Sequence, residues 1–143
     1  MNKIMNNICT IVCNDFLNAL EISFTKTGSL QEHTESMQLA TDLSIIHRIN
    51  FWIVQKKDFE DLKLENFLML LYSWSKIVRN RNKAEQKINI LTSGEISEKI
   101  NTILKKDWWI RHYSKAKINI YAYGNDHKLK IIQQKILDNV ADY

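Results

Sequence analysis

Proline is absent from the 143 residues, and glycine occurs three times. That excludes Pro-rich linkers and Gly/Pro-rich low-complexity architecture, and with so few breakers helix is expected to dominate. Cysteine is nearly as scarce. Cys9 and Cys13 stand alone, too few for a disulfide framework, and their spacing suits neither a redox CxxC pair nor a zinc knuckle. They read as buried thiols in a reducing compartment. Long apolar runs are missing too. The longest, Phe67 to Tyr72, is too short to span a bilayer. No early stretch has the charged head and long apolar run of a signal peptide, so a cytoplasmic location without a membrane partner is expected.

Other absences bear on chemistry. No Gly-rich phosphate loop occurs. His33, His47, His112 and His127 are far apart and lack ligand spacing, so metal binding is not expected, nor any other cofactor. No nucleophile, base and stabiliser fall together in the sequence, and an enzyme is not expected. Asp58, Glu60, Asp61 and Glu65 form a small acidic cluster, read as solvated rather than catalytic. Ser93-Gly94 at a helix start reads as a cap.

What is present is ordinary globular material. Apolar residues make up 45% and charged residues 25%, enough for a core and too apolar for disorder. A formal charge of +4 permits an anionic partner without demanding one. Ile8, Ile11, Val12, Phe16, Leu17, Leu20 and Phe24 form a helical stripe, which predicts a first helix. From Thr27 to Trp52 the pattern predicts two short helices joined by a turn at Ala40 to Asp42. Ser29 and Glu32 form a capping box for the first, and Asp42 caps the second. Leu62 to Val78 reads as a long helix, apolar on more than one face. Its second cover is either another chain or, in a monomer, the rest of the core. Lys87 to Leu91 and Lys117 to Tyr123 alternate as strands. Between them a helix turns Ile96, Ile100, Ile103 and Leu104 inward. Trp108, Trp109 and Tyr113 read as an apolar plug after it. A last helix is expected to turn Leu129, Ile132, Ile136, Leu137 and Val140 inward. A strand, a helix and a strand imply a parallel pair with a right-handed crossover.

Two short helices and a polar face on the second are what a helix-turn-helix needs. Ser44, His47 and Arg48 would then reach base edges, with Gln31, Thr41, Lys56 and Lys57 near phosphates. Phe67, Leu68, Leu71, Trp74, Ile77 and Val78 would pair two copies along the long helix.

The order of these elements, with its local wording, resembles LysR-type transcriptional regulators. Thr27-Gly28-Ser29-Leu30 looks like the family's entry into its first helix-turn-helix helix. Glu35, Met37 and Leu39 sit where that helix carries Glu, Leu and Leu. Ser44 to Ile49 (SIIHRI) is similar to its recognition helix. The stretches beginning KINILTSGEISEKINTIL and KINIYAYGNDHKLKIIQQ are similar to the opening of its effector domain. The resemblance implies a truncated, divergent member with a shortened wing, and only the first part of an effector domain.

The expected fold class is therefore α+β and mostly helical. It has a helix-turn-helix domain at 1–58, a linker and dimerisation helix at 59–86, and a small βαβα unit at 87–143. The expected function is transcription regulation by a dimer or higher oligomer on double-stranded DNA, without a complete small-molecule site. The alternative is an interaction module that does not bind DNA and pairs with, or neutralises, another protein, such as a full-length regulator.

Overall fold

The computed structural model describes residues 2–106 and 116–141. The expected plug of Trp108, Trp109 and Tyr113 lies outside the described residues, as does His112. Strands β1 (Asn2–Met5), β2 (Cys9–Asn14) and β3 (Ala19–Phe24) come first. Then helices and strands alternate: α1 (Leu30–Ile46), β4 (Phe51–Gln55), α2 (Leu64–Asn82), β5 (Lys87–Thr92), α3 (Gly94–Lys106), β6 (Lys117–Ala122) and α4 (Asn125–Ala141). The strands form one six-stranded sheet in chain order. β1, β2 and β3 pair antiparallel, and β3 through β6 pair parallel. The fold is α/β with a mixed sheet. The first and third expected units share this sheet, because β4 from the first pairs along its length with β5 from the third, and α2 from the second packs into the same core.

The parallel strands follow one another in sheet order, so crossovers of the usual right hand put the intervening helices on one face. α1, α2 and α3 do share a face. Met37, Ala40, Phe67, Leu68, Leu71, Ile100 and Leu104 pack there against Ile11, Leu20, Ile22, Trp52, Val54, Ile88 and Ile90. α4 crosses the other face, where Ile131 joins a smaller cluster with Leu17, Ala19, Phe51, Ile53 and Leu91.

The expected first helix over Ile8 to Phe24 is instead the β2–β3 hairpin. Cys9, Ile11 and Cys13 alternate into the core, opposite Phe24, Ile22 and Leu20. Residues four apart share a face in a strand as they do in a helix, but the stripe's steps of three and one do not, and Val12 and Phe16 lie off the core. The β-branched run Thr10-Ile11-Val12 favours the strand. The chain turns at Asn14, whose side chain accepts the Leu17 N–H at 3.1 Å, and at Asn18, which takes φ 54°. Asparagine tolerates that left-handed conformation better than most residues.

The expected helix-turn-helix is also replaced. α1 runs unbroken through Ala40 to Asp42, because nothing in that stretch stops a helix. Thr41 Oγ1 donates to the Met37 carbonyl and Ser44 Oγ to the Thr41 carbonyl, both at 2.8 Å. These polar side chains satisfy themselves on their own helix and go into the core. Phe51 to Gln55, expected in the second helix, is the central strand β4. The capping box at Ser29 and Glu32 is present as expected.

The long helix and the C-terminal βαβα order are also present. α2 is buried on more than one side within its own chain, against the sheet and against α1. No helix among the described residues is long and apolar enough to cross a membrane.

Asp42 separates the two local readings experimentally. As an N-cap its replacement by alanine would cost about 1 kcal/mol. In an exposed helix interior, alanine is the better residue and only the Gln38 contact is lost. The Asp42→Ala variant is expected to hold its urea-unfolding free energy within about 0.5 kcal/mol of the parent, or to exceed it.

Candidate functional site

In sheets with parallel strands, ligands commonly sit at the carboxyl ends of those strands. Here the ends of β3 and β4 meet the start of α1 and the loop before α2. Lys56, just past β4, and Asp61 in that loop are both withdrawn from water, with side chains 5% and 8% exposed. Lys56 Nζ donates to Asp61 Oδ1 at 3.0 Å and Oδ2 at 3.3 Å. The Gly28 N–H donates to Oδ2 at 2.8 Å. His33, fully buried on the first turn of α1, brings Nε2 to 3.6 Å from the same oxygen, too far for a hydrogen bond. Its Nδ1 lies 2.8 Å from the Ser29 carbonyl. A carbonyl only accepts, so Nδ1 carries the proton.

Aromatic rings wall this group. His33 stacks on Phe24 with centroids 5.2 Å apart, and Phe67 meets Phe24 and Phe59 edge-on. The Lys56 ammonium stands 5.4 Å from the Phe24 centroid and 5.3 Å from that of Phe59. Gly28 is required by the close approach of the Ile8 side chain, from the turn just before β2. A Cβ there would lie 2.7 Å from Ile8 Cγ2. Burial pushes the Asp61 carboxyl upward, but the Gly28 N–H and Lys56 outweigh it and hold the group below its ordinary range. A small recess of about 330 Å³ lies outside, lined in part by Thr25, Lys57, Asp58 and Tyr123.

This geometry ionises a carboxylate and spends it on donors. Three separate stretches of chain meet at Asp61, which makes the group a clasp between the α1 entry and the loop before α2. Asp61 is thus not part of a solvated acidic cluster. No group of three or more metal-ligating side chains occurs among the described residues. Cys9 and Cys13 are buried and unpaired, as expected, and burial raises both thiols.

The residues expected at DNA are dispersed. Thr41 and Ser44 are buried. Lys56 is held in the clasp. Gln31 is exposed at the start of α1 and bonds Glu35 at 3.0 Å. Lys57 is exposed near that same end. His47 caps the far end of α1, half-buried, with Nδ1 3.7 Å from Asp15, and Arg48 follows it, exposed. A 17-residue helix separates Gln31 from that pair, roughly 25 Å of axis. The pairing residues are not exposed as a set either. Phe67, Leu68, Leu71 and Val78 are within the chain's own core, Trp74 is half-buried, and Ile77 is 37% exposed. A helix apolar on more than one face is covered here by its own sheet and its helix neighbour, and Glu65, Asn66, Ser73 and Asn80 face water.

The structure presents apolar surface elsewhere. On α4, Leu129, Leu137 and Val140 are 55%, 62% and 64% exposed, and Ile136 is 39% exposed. At 100° per residue they fall within about 100° of arc on the helix. Ile131 is buried and Ile132 half-buried; of the five residues expected inward, only Ile132 faces the core. α4 is seated by polar contacts as much as by apolar ones. Lys128 pairs with Glu21 at 3.0 Å, Asn139 donates to the Leu17 carbonyl at 3.1 Å, and Lys135 lies over the Phe51 ring. The turn that Asn139 grips also carries Phe16, 86% exposed.

Removing Asp61 leaves Lys56 buried without its partner, so Asp61→Ala is expected to cost about 3–5 kcal/mol in urea unfolding. The pH dependence has a fixed sign. The folded pKa is lowered, so the stabilisation is complete above the ordinary carboxylate value and is lost as pH falls through the folded one. Asp61→Asn should therefore flatten the acid limb of the stability profile relative to the parent. An unchanged limb would show that Asp61 does not supply it. Comparison of the chain with protein-family models, with curated proteins and with solved structures found no match.

Proposed function

We propose that this protein is a protein-interaction module, and that it assembles by pairing α4 with α4 of a second copy. The observation that carries this reading is the apolar stripe of Leu129, Ile136, Leu137 and Val140, uncovered on a helix whose other side is already seated on the sheet. Exposed apolar side chains gathered on one face, rather than scattered, mark interaction surfaces. A single stripe on one helix is self-complementary about a two-fold axis, so each copy covers the other. Phe16, in the turn that Asn139 grips, is a further exposed apolar side chain. The pairing therefore runs through α4 rather than α2, whose apolar residues are largely occupied within the chain.

The DNA-regulator reading draws less support from the same geometry. Thr41, Ser44 and Lys56 face inward, and the exposed Gln31 and Arg48 stand at opposite ends of α1. The positive charge remains its main support.

Size-exclusion chromatography with light scattering tests the proposal. The parent chain is expected to move from monomer to dimer as concentration rises. Leu137→Glu with Val140→Glu should leave a monomer whose thermal unfolding is nearly unchanged, because both side chains are already in water. A parent that stays monomeric at the highest concentration it tolerates, or a double variant that dimerises like the parent, sinks the reading.

A further inference from the structure

At the end of the sheet opposite the Asp61 clasp, the loops entering the parallel strands enclose a recess of about 940 Å³. Arg48, Arg81, Lys87 and Lys135 line it, against Asp138 as the carboxylate among its described lining residues. Asp138 already accepts from Gln134 at 2.9 Å. None of the ion pairs among the described residues involves Arg48, Arg81 or Lys87. The recess is therefore strongly positive, with three cations whose charge no described carboxylate neutralises at close range.

Helix dipoles explain part of this. Arg48 follows the C-terminus of α1 and Arg81 lies in the last turn of α2, where a cation is favourable in any case. Lys87 opens a strand and Lys135 lies inside α4, more than a turn from its end. No dipole calls for either of those; Lys135 is placed by the Phe51 ring it lies over, and the position of Lys87 on the recess needs another reason. Asn82 adds an independent sign. Its Oδ1 accepts the Ala84 N–H at 3.0 Å, while its Nδ2 is enclosed without an acceptor. An enclosed donor without a partner is costly, and an anion oxygen would satisfy it. The backbone is unusual here as well. Asn18, Arg48 and Lys83 hold positive φ of 54°, 53° and 64°, and the first two line the recess. Arg48 keeps its side chain at a position where glycine would be easier.

We infer that this recess binds a small anion carrying several phosphate groups. Guanidinium groups fork onto phosphate oxygens, and lysines add point charges. Several cations suit a multiply charged ligand, and the volume is far larger than one phosphate requires. The site is independent of the proposed self-pairing, since the apolar stripe and the recess-lining residues of α4 are different side chains.

Isothermal titration of the full chain with inorganic tripolyphosphate, at low salt, tests the inference. Saturable one-to-one binding is expected, with sulfate much weaker. Arg48→Gly and Lys87→Gln should each weaken it by about tenfold, the size of a charge-assisted contact. Arg48→Gly should also keep or raise the melting temperature, because glycine relaxes the left-handed backbone, so its lost affinity cannot be ascribed to unfolding. Lys57→Gln, at the other end of the sheet, should bind like the parent. A nucleoside triphosphate that binds more tightly than tripolyphosphate would assign the remaining volume to base and sugar, and equal affinity would assign recognition to the phosphate chain alone. The inference is overturned by an absence of saturable binding, by equal affinity for sulfate, or by undiminished binding in both recess variants. A short DNA duplex that binds more tightly than tripolyphosphate, and is weakened by the same variants, would overturn it in favour of nucleic acid.

Discussion

Asp61 joins parts of the chain that nothing else ties so directly. Its carboxylate takes the Gly28 N–H at the entry to α1 and the Lys56 ammonium at the exit of β4. Those contacts set where α1 begins relative to the sheet and where the loop turns back into α2. α1 and α2 then pack on each other and on the sheet, with His33, Phe24, Phe59 and Phe67 closing the space around the pair. A buried charge pair of this kind is a weak source of net stability compared with apolar residues of the same shape. What it supplies is placement, since losing either partner leaves the other stranded in an aromatic wall. Lys56 contributes twice, once to the carboxylate and once to the two rings it stands over.

That clasp was invisible in the sequence for a physical reason. Gly28, His33, Lys56 and Asp61 lie on separate elements, and no local spacing marks residues brought together by a crossover. Lys56 read as a free cation and Asp61 as one of a solvated group, which is how such residues sit on most surfaces. The legible parts were those whose period had one meaning. The alternation in Lys87 to Leu91 and Lys117 to Tyr123 fits a strand and not a helix, and both are strands. The α3 positions expected inward are buried or half-buried, with Ile100 and Leu104 in the core. The hairpin failed because an i, i+4 apolar step is common to both structures. Residues 40–42 failed because threonine and aspartate favour turns and caps on average. Here Thr41 and Ser44 bond to carbonyls of their own helix and pack inward.

The candidate site residues divide in the same way. Cations were easy to find and hard to place. Arg48 and Lys57, expected on one DNA-facing surface, are exposed at opposite ends of the strands that α1 crosses. Arg48 instead shares a recess with Arg81, Lys87 and Lys135, drawn from four different elements or loops. Sequence position gives no sign of that meeting. The bend that brings Arg48 in, a left-handed residue after the α1 cap, is also unmarked because the usual glycine is absent.

The sheet's two faces explain why one helix remains unfinished. Three successive crossovers cover the first face with α1, α2 and α3, and their apolar residues are consumed there. The second face receives α4 alone among the described elements, and that face is partly polar: Asn89 donates to the Trp52 carbonyl, and Glu21 pairs with Lys128 of α4. A helix seated on so mixed a surface needs few apolar residues beneath it. α4 uses Ile131, Ile132 and its polar tethers, and still carries Leu129, Ile136, Leu137 and Val140 on its outer side. Seating the helix does not require those four side chains, so their exposure follows from the sheet's asymmetry together with a helix that is apolar on two sides. Rotating α4 to bury them would draw Ile131 into water and break the Lys128 and Asn139 tethers. The orientation is therefore fixed by contacts within the chain, and the outer stripe stays exposed, as the proposed self-pairing requires.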